Sequence, residues 1–148
     1  MLDSIINEFD KALKVLTVET ISERSRPDEN FKNSYALTSQ EKKVHSKFMR
    51  VNHSGEICAQ ALYRGQLFFN KNNKIQNQLE KAANEELDHL AWCHSRIKEL
   101  NGRISYLNPL LYLGSFAVGS IASIIDEKYN LGFLSETEKQ VSLHLESH

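Results

Sequence analysis

The chain has 148 residues, 41% of them apolar and 25% charged, with a formal net charge of −1. That length suits one domain with a real core, and the even charge balance favours no nucleic-acid partner. Cys58 and Cys93 form no C-x-x-C and read as reduced core residues rather than a disulfide framework, while only 6 glycines and 2 prolines point to long helices.

The first expected element is a short amphipathic helix over residues 3 to 17, in which Ile5, Ile6, Phe9, Leu13 and Leu16 recur at helical spacing and Asp3 or Ser4 caps the start. Met1-Leu2-Asp3-Ser4 lacks the basic-then-apolar pattern of a secretory signal. Residues 18 to 38 carry Ser, Arg, Pro, Asp and Asn with little periodicity and read as a loop or linker. Thr38-Ser39-Gln40-Glu41 then offers a helix start with an acidic first turn. This helix runs to about Asn70, with Val44, Phe48, Val51, Gly55, Ala59 and Leu62 as its apolar face. Glu56 lies about 100° round from Gly55 and flanks that face. Pairing with Arg64 or a lysine is one reading of it.

A third helix covers roughly residues 74 to 100 and ends at Asn101-Gly102, a natural left-handed stop. Its stripe runs Ile75, Leu79, Ala82, Glu86, His89, Cys93, Ile97 and Leu100 in steps of three or four, so Glu86 and His89 interrupt an apolar face. Asn108-Pro109 reads as the cap and first turn of a fourth helix. No charge occurs from Ile104 to Ile125. The helical part, about 17 residues, is short for a membrane span, and no basic clusters flank it. It reads as an apolar helix that packs on the bundle and lies against a membrane, with a buried core helix as the near rival. Ser115 and Gly119 form a small-xxx-small pair suited to close helix packing. A last helix begins near Gly132 or Ser135 with the stripe Leu134, Glu138, Val141 and Leu145. That stripe is still running at His148, which reads as a chain that stops inside an element.

Three carboxylates thus fall on or beside apolar faces of separate helices. A carboxylate in such a place is costly unless something neutralises it. Helical bundles that hold a pair of iron or manganese ions use one Glu from each of two helices and a Glu-x-x-His from each of the other two. Glu56 and Glu138 supply lone glutamates, and Glu86-Leu87-Asp88-His89 supplies one Glu-x-x-His, with no second copy in the sequence. Each alone has a bland reading: a single Glu-x-x-His is common on solvated helices, and Glu138 could merely mark a helix start. His53, His144 and His148 read as residues near the site or plain polar ones, and His45 and His94 as solvated. Tyr63, beyond Glu56, is a candidate to line the pocket, with core packing as the alternative.

The runs Met49-Arg50-Val51-Asn52-His53-Ser54-Gly55-Glu56-Ile57-Cys58-Ala59-Gln60-Ala61-Leu62-Tyr63 and Glu85-Glu86-Leu87-Asp88-His89-Leu90-Ala91-Trp92-Cys93 resemble the demethoxyubiquinone hydroxylases of ubiquinone biosynthesis, bacterial type. Leu107-Asn108-Pro109, Gly132-Phe133 and Thr137-Glu138-Lys139-Gln140-Val141 extend the resemblance from about residue 39 onward. It implies an all-α, ferritin-like antiparallel bundle over residues 39 to 148, lacking its last helices, behind an N-terminal helix and linker at 1 to 38. It implies a non-haem di-iron centre with two iron ions per complete subunit, and an O2-dependent hydroxylation of a polyprenylated benzoquinol. Glu56, Glu86, His89 and Glu138 match the family's iron ligands, and His144 matches a histidine near the site. The family's second Glu-x-x-His has no counterpart in this sequence, which leaves four of six ligands, enough for one metal or for two held weakly.

The resemblance further implies a peripheral protein on the cytoplasmic face of the bacterial inner membrane, touching lipid through residues 104 to 125. A homo-oligomer or other quinone-biosynthesis proteins are the expected protein partners. Two rival readings stay open: an iron-binding, ferroxidase-type bundle without quinone turnover, and a non-catalytic helical fragment that binds membrane or a partner.

Overall fold

The computed structural model describes residues 2–17, 22, 24–28 and 37–125, with isolated positions at 132, 135, 136 and 139. Four helices are described: α1 (Leu2–Thr17), α2 (Ser39–Phe69), α3 (Asn73–Glu99) and α4 (Asn108–Ile125). Their ends follow local chemistry. Thr38 and Glu41 form a capping box, in which Thr38 Oγ1 accepts from the Glu41 N–H and the Glu41 carboxylate accepts from the Thr38 N–H at 2.7 Å. The Asn72 side chain caps α3 by accepting from the Lys74 N–H at 3.0 Å. After α3, Asn101 takes the left-handed turn itself, at φ 54°, and the Gly102 N–H closes back on the Ile97 carbonyl at 2.8 Å.

α2 is the central helix: α3 and α4 pack on it, and α1 touches α2 and α4. Two buried clusters result. Ala59, Tyr63, Ile75, Leu79, Ala82 and Ala83 join α2 to α3. Ile57, Ala61, Leu90 and Tyr112 join α2, α3 and α4, and Ala12, Val15, Leu16 and Phe116 close over them. Fully burying Ile57, Leu79, Leu90 or Ile97 contributes roughly 2 kcal/mol each. With no strand among the described residues, this is an all-α, ferritin-like bundle.

Two glycines set how closely α2 and α4 approach. A Cβ on Gly119 would lie 2.1 Å from the Leu62 carbonyl oxygen, and one on Gly65 would lie 2.2 Å from that of Phe116. The two backbones therefore touch directly, Gly119 against the Leu62 backbone as the small-residue pair suggested and Gly65 against the Phe116 backbone, while Ser115 is only half-buried.

The expected apolar face of α2 needs correction. Val44, Phe48 and Val51 are exposed, and burial instead concentrates from His53 to Gln66. In that half α2 is covered from two sides, so Glu56 is buried inside the contact rather than flanking it. α1 docks through Glu8, Ala12, Val15 and Leu16, and leaves Ile5, Ile6 and Phe9 outward. Arg64 pairs with Glu8 of α1, its Nε donating to Glu8 Oε2 at 3.0 Å. Glu138 and His144, on the expected last helix, lie outside the described residues.

Candidate metal centre

Glu56 on α2 and Glu86 and His89 on α3 converge, with their potential ligand atoms all within 4.8 Å of one another. The i, i+3 spacing puts Glu86 and His89 on one face of α3, where His89 Nδ1 and Glu86 Oε2 lie 3.2 Å apart. Both glutamates are buried, and His89 is about one-third exposed at the mouth of the cluster.

The electrostatics are those of a site awaiting positive charge. Burial, then the hydrogen bond and charge of Glu86, push the Glu56 carboxyl up to about 9. Burial also works to raise Glu86, but hydrogen bonds with His89 and Glu56 and the charges of His89 and Arg24 hold it below the usual carboxylate range. Two buried carboxyls this close do not both ionise, so they share one proton, held on Glu56. Burial, followed by the same two carboxylates, pushes the Cys93 thiol up to about 12, so the nearby sulfur stays protonated. The second oxygen of Glu56, Oε2, is buried and makes no hydrogen bond. A buried carboxylate with one unsatisfied oxygen, beside a second carboxylate and an imidazole, is the donor chemistry that iron or manganese takes, so the residues present fit such an ion.

Of the sequence candidates, Glu56, Glu86 and His89 are brought together. The suggested pairing of Glu56 with Arg64 is not formed, because Arg64 turns to Glu8. Tyr63 is fully buried among Ala59, Ile75, Leu79, Ala82 and Ala83, in core packing. Glu138 and His144 lie outside the described residues.

Three neighbours flank the cluster: His53 as a residue near the site, His94 against the expectation of a solvated one, and Asp88, which the sequence reading had not singled out. His53, one turn before Glu56, is buried, and its Nδ1 lies 3.3 Å from the side-chain amide of Asn108, which also accepts from Ser54 Oγ at 2.8 Å. Burial, then the charge of His94, depresses His53 to about 4, and His94 is half-buried against its ring rather than solvated. Asp88 is buried beside the ligands and held by Ser22 and Arg24. The only signal for Asp88 was a third acid inside Glu85-Glu86-Leu87-Asp88-His89.

Residues 42–148 match the family model described as Ubiquinone biosynthesis protein COQ7. The chain is 47% identical over 147 residues to the 3-demethoxyubiquinol 3-hydroxylase of Polynucleobacter necessarius subsp. necessarius, covering 99% of this chain and 70% of that protein. It is 49% identical over 148 residues to the protein of the same name from Chromobacterium violaceum, covering 100% of this chain and 71% of that one. A Nitrosospira multiformis protein of that name is 50% identical over 147 residues, with 99% and 70% covered. No solved structure matches the chain. At this identity and coverage, with the converging glutamates and histidine inside the matched region, the chain belongs to the COQ7 family of ubiquinone biosynthesis proteins.

Proposed function

We propose that this chain catalyses O2-dependent hydroxylation of a demethoxyubiquinol ring at a non-haem di-iron centre, the step named in its relatives. The observation that carries the reading is the convergence of Glu56, Glu86 and His89 across two helices, with a buried carboxylate oxygen left unsatisfied. Glu56, Glu86 and His89 would hold iron, with Glu138 as a further ligand. Bound iron supplies the one-electron chemistry that lets dioxygen react with a closed-shell ring. Glu56 gives up its shared proton as metal binds, because a ligating carboxylate must be ionised. Before metal binds, Glu86 orients the His89 ring through its contact with Nδ1.

The prenylated tail of such a substrate needs an apolar path. A groove of about 430 Å³ runs between α1 and α4, lined by Ile5, Phe9, Leu13, Tyr112, Leu113 and Phe116 among others. The same two helices also expose Leu2, Ile6, Leu110, Ile121 and Ile124. α4 is long and apolar enough to cross a membrane, yet only 28% of it is buried against the bundle. An exposed apolar surface of this kind suits a peripheral protein lying in the lipid interface, which we assign to the cytoplasmic face of the bacterial inner membrane. Glu86→Ala and His89→Ala should each lower iron content and abolish quinol hydroxylation. Retention of both properties in either variant would overturn the assignment.

A further inference from the structure

We propose that Arg24 is a positioning residue for this centre: through Asp88 and Trp92 it pins the turn of α3 that presents Glu86 and His89. The inference rests on the metal reading above and extends it to a segment outside the bundle helices.

Asp88, Trp92, Ser95 and Glu99 follow one another by four, three and four residues, so they form one face of α3, next to the face that carries Glu86, His89 and Cys93. Residues 22 and 24 to 28 lie along that face as a strap. Ser22 Oγ donates to Asp88 Oδ1 at 2.8 Å, and Arg24 Nε donates to Asp88 Oδ2, so the strap occupies both oxygens of this buried carboxylate. The Arg24 guanidinium also sits over the Trp92 ring, 5.4 Å from its centroid, and the Arg24 carbonyl accepts from Trp92 Nε1 at 3.2 Å. Further along, Arg26 donates to both oxygens of Glu99, at 2.7 and 3.1 Å, and to Ser95 Oγ at 3.2 Å.

Arg24 and Arg26 therefore hold the same strap at different distances from the metal ligands. Arg24 grips the residue immediately before His89 and also Trp92, whose ring lies 5.2 Å from the His89 ring. Arg26 grips α3 two to three turns beyond His89. A strap that merely tacked down α3 would work equally through either arginine. A strap that aligns the ligands must act through Arg24.

Trp92 is the chain's single tryptophan, so its fluorescence reports this contact without interference. The experiment is a Co(II) titration, followed by absorption, of the full chain and of Arg24→Ala, Arg24→Lys and Arg26→Ala, with acrylamide quenching of Trp92 in each metal-free protein. Arg24→Ala should weaken Co(II) affinity roughly tenfold, the size expected for losing a partner behind a metal ligand, and should raise the quenching constant. Arg24→Lys should recover less than half of that loss, because an ammonium lacks the planar fork that grips Asp88 and lies on the ring. Arg26→Ala should stay within about twofold of the unmodified chain. Unchanged affinity in Arg24→Ala, or equal losses in both alanine variants, would overturn the proposal while leaving the metal site standing. Failure of the unmodified chain to bind Co(II) would overturn the metal reading and the alignment role together, and unchanged quenching in Arg24→Ala would by itself overturn the Arg24–Trp92 contact.

Discussion

The α2–α3 contact and the outer face of α4 invert the ordinary rule of burial in opposite senses. Between α2 and α3, the acids Glu56, Glu86 and Asp88 are buried. On α4, Leu110, Leu113, Ile121, Ile124 and Ile125 are exposed. Both inversions cost free energy in water, the first by desolvating charge and the second by leaving apolar area wet. Each cost is relieved by a different companion: a cation for the acids, and an apolar phase for α4. The two regions share α2, which carries Glu56 on its α3 side and Gly65 against α4.

The largest expected effect comes from separating the two regions. Gly119→Val drives a side chain into the Leu62 backbone and should destabilise the chain by about 3 kcal/mol or more by urea unfolding. Gly114→Ala is the control: a Cβ there meets nothing within 4 Å, and helix propensity predicts a gain of roughly 1 kcal/mol. If both variants behave alike, the direct α2–α4 contact is not the joint described here. The smallest expected effect on stability is on the outer face. Leu113→Glu changes a two-thirds exposed side chain and should alter unfolding free energy by no more than about 0.5 kcal/mol, while sharply reducing co-sedimentation with anionic lipid vesicles. Undiminished vesicle binding would mean that α4 does not face lipid.

The sequence made the helices legible because their signals are local. The stripe of α3, the Thr38–Glu41 box and the Asn101–Gly102 stop each need only neighbours within one or two turns. Glu86 and His89 were legible for the same reason, as polar breaks in an apolar stripe. What stayed hidden depends on residues far apart in the chain. Val44, Phe48 and Val51 share the periodicity of Ala59 and Leu62, and only the positions of α3 and α4 leave the first three exposed. The Arg24–Asp88 pair spans 64 residues and the His53–Asn108 contact spans 55, and no periodic pattern encodes either. Arg64 stood near Glu56 in the sequence, but its partner Glu8 is 56 residues away on another helix.

The central claim is that the buried acids are tolerable because a shared cation takes the place of the proton on Glu56. A carboxyl raised from its ordinary value to about 9 holds a proton in the folded chain that the unfolded chain has released, so metal-free stability must fall as pH rises through that interval. His53, depressed from 6.5 to about 4, contributes the opposite slope, but only below pH 6.5. The clean window is therefore pH 7 to 8, below the range in which Cys93, raised from 9 to about 12, adds a fall of its own, and there one proton is worth roughly 1.4 kcal/mol per pH unit. The most direct test is urea unfolding across that window for the metal-free chain, the Mn(II)-saturated chain and Glu56→Gln. The account predicts a falling stability for the metal-free chain, a raised and flatter profile with Mn(II), and a flat profile that Mn(II) barely changes in Glu56→Gln. A metal-free profile that is level or rising from pH 7 to 8, or one that Mn(II) leaves untouched, would contradict it.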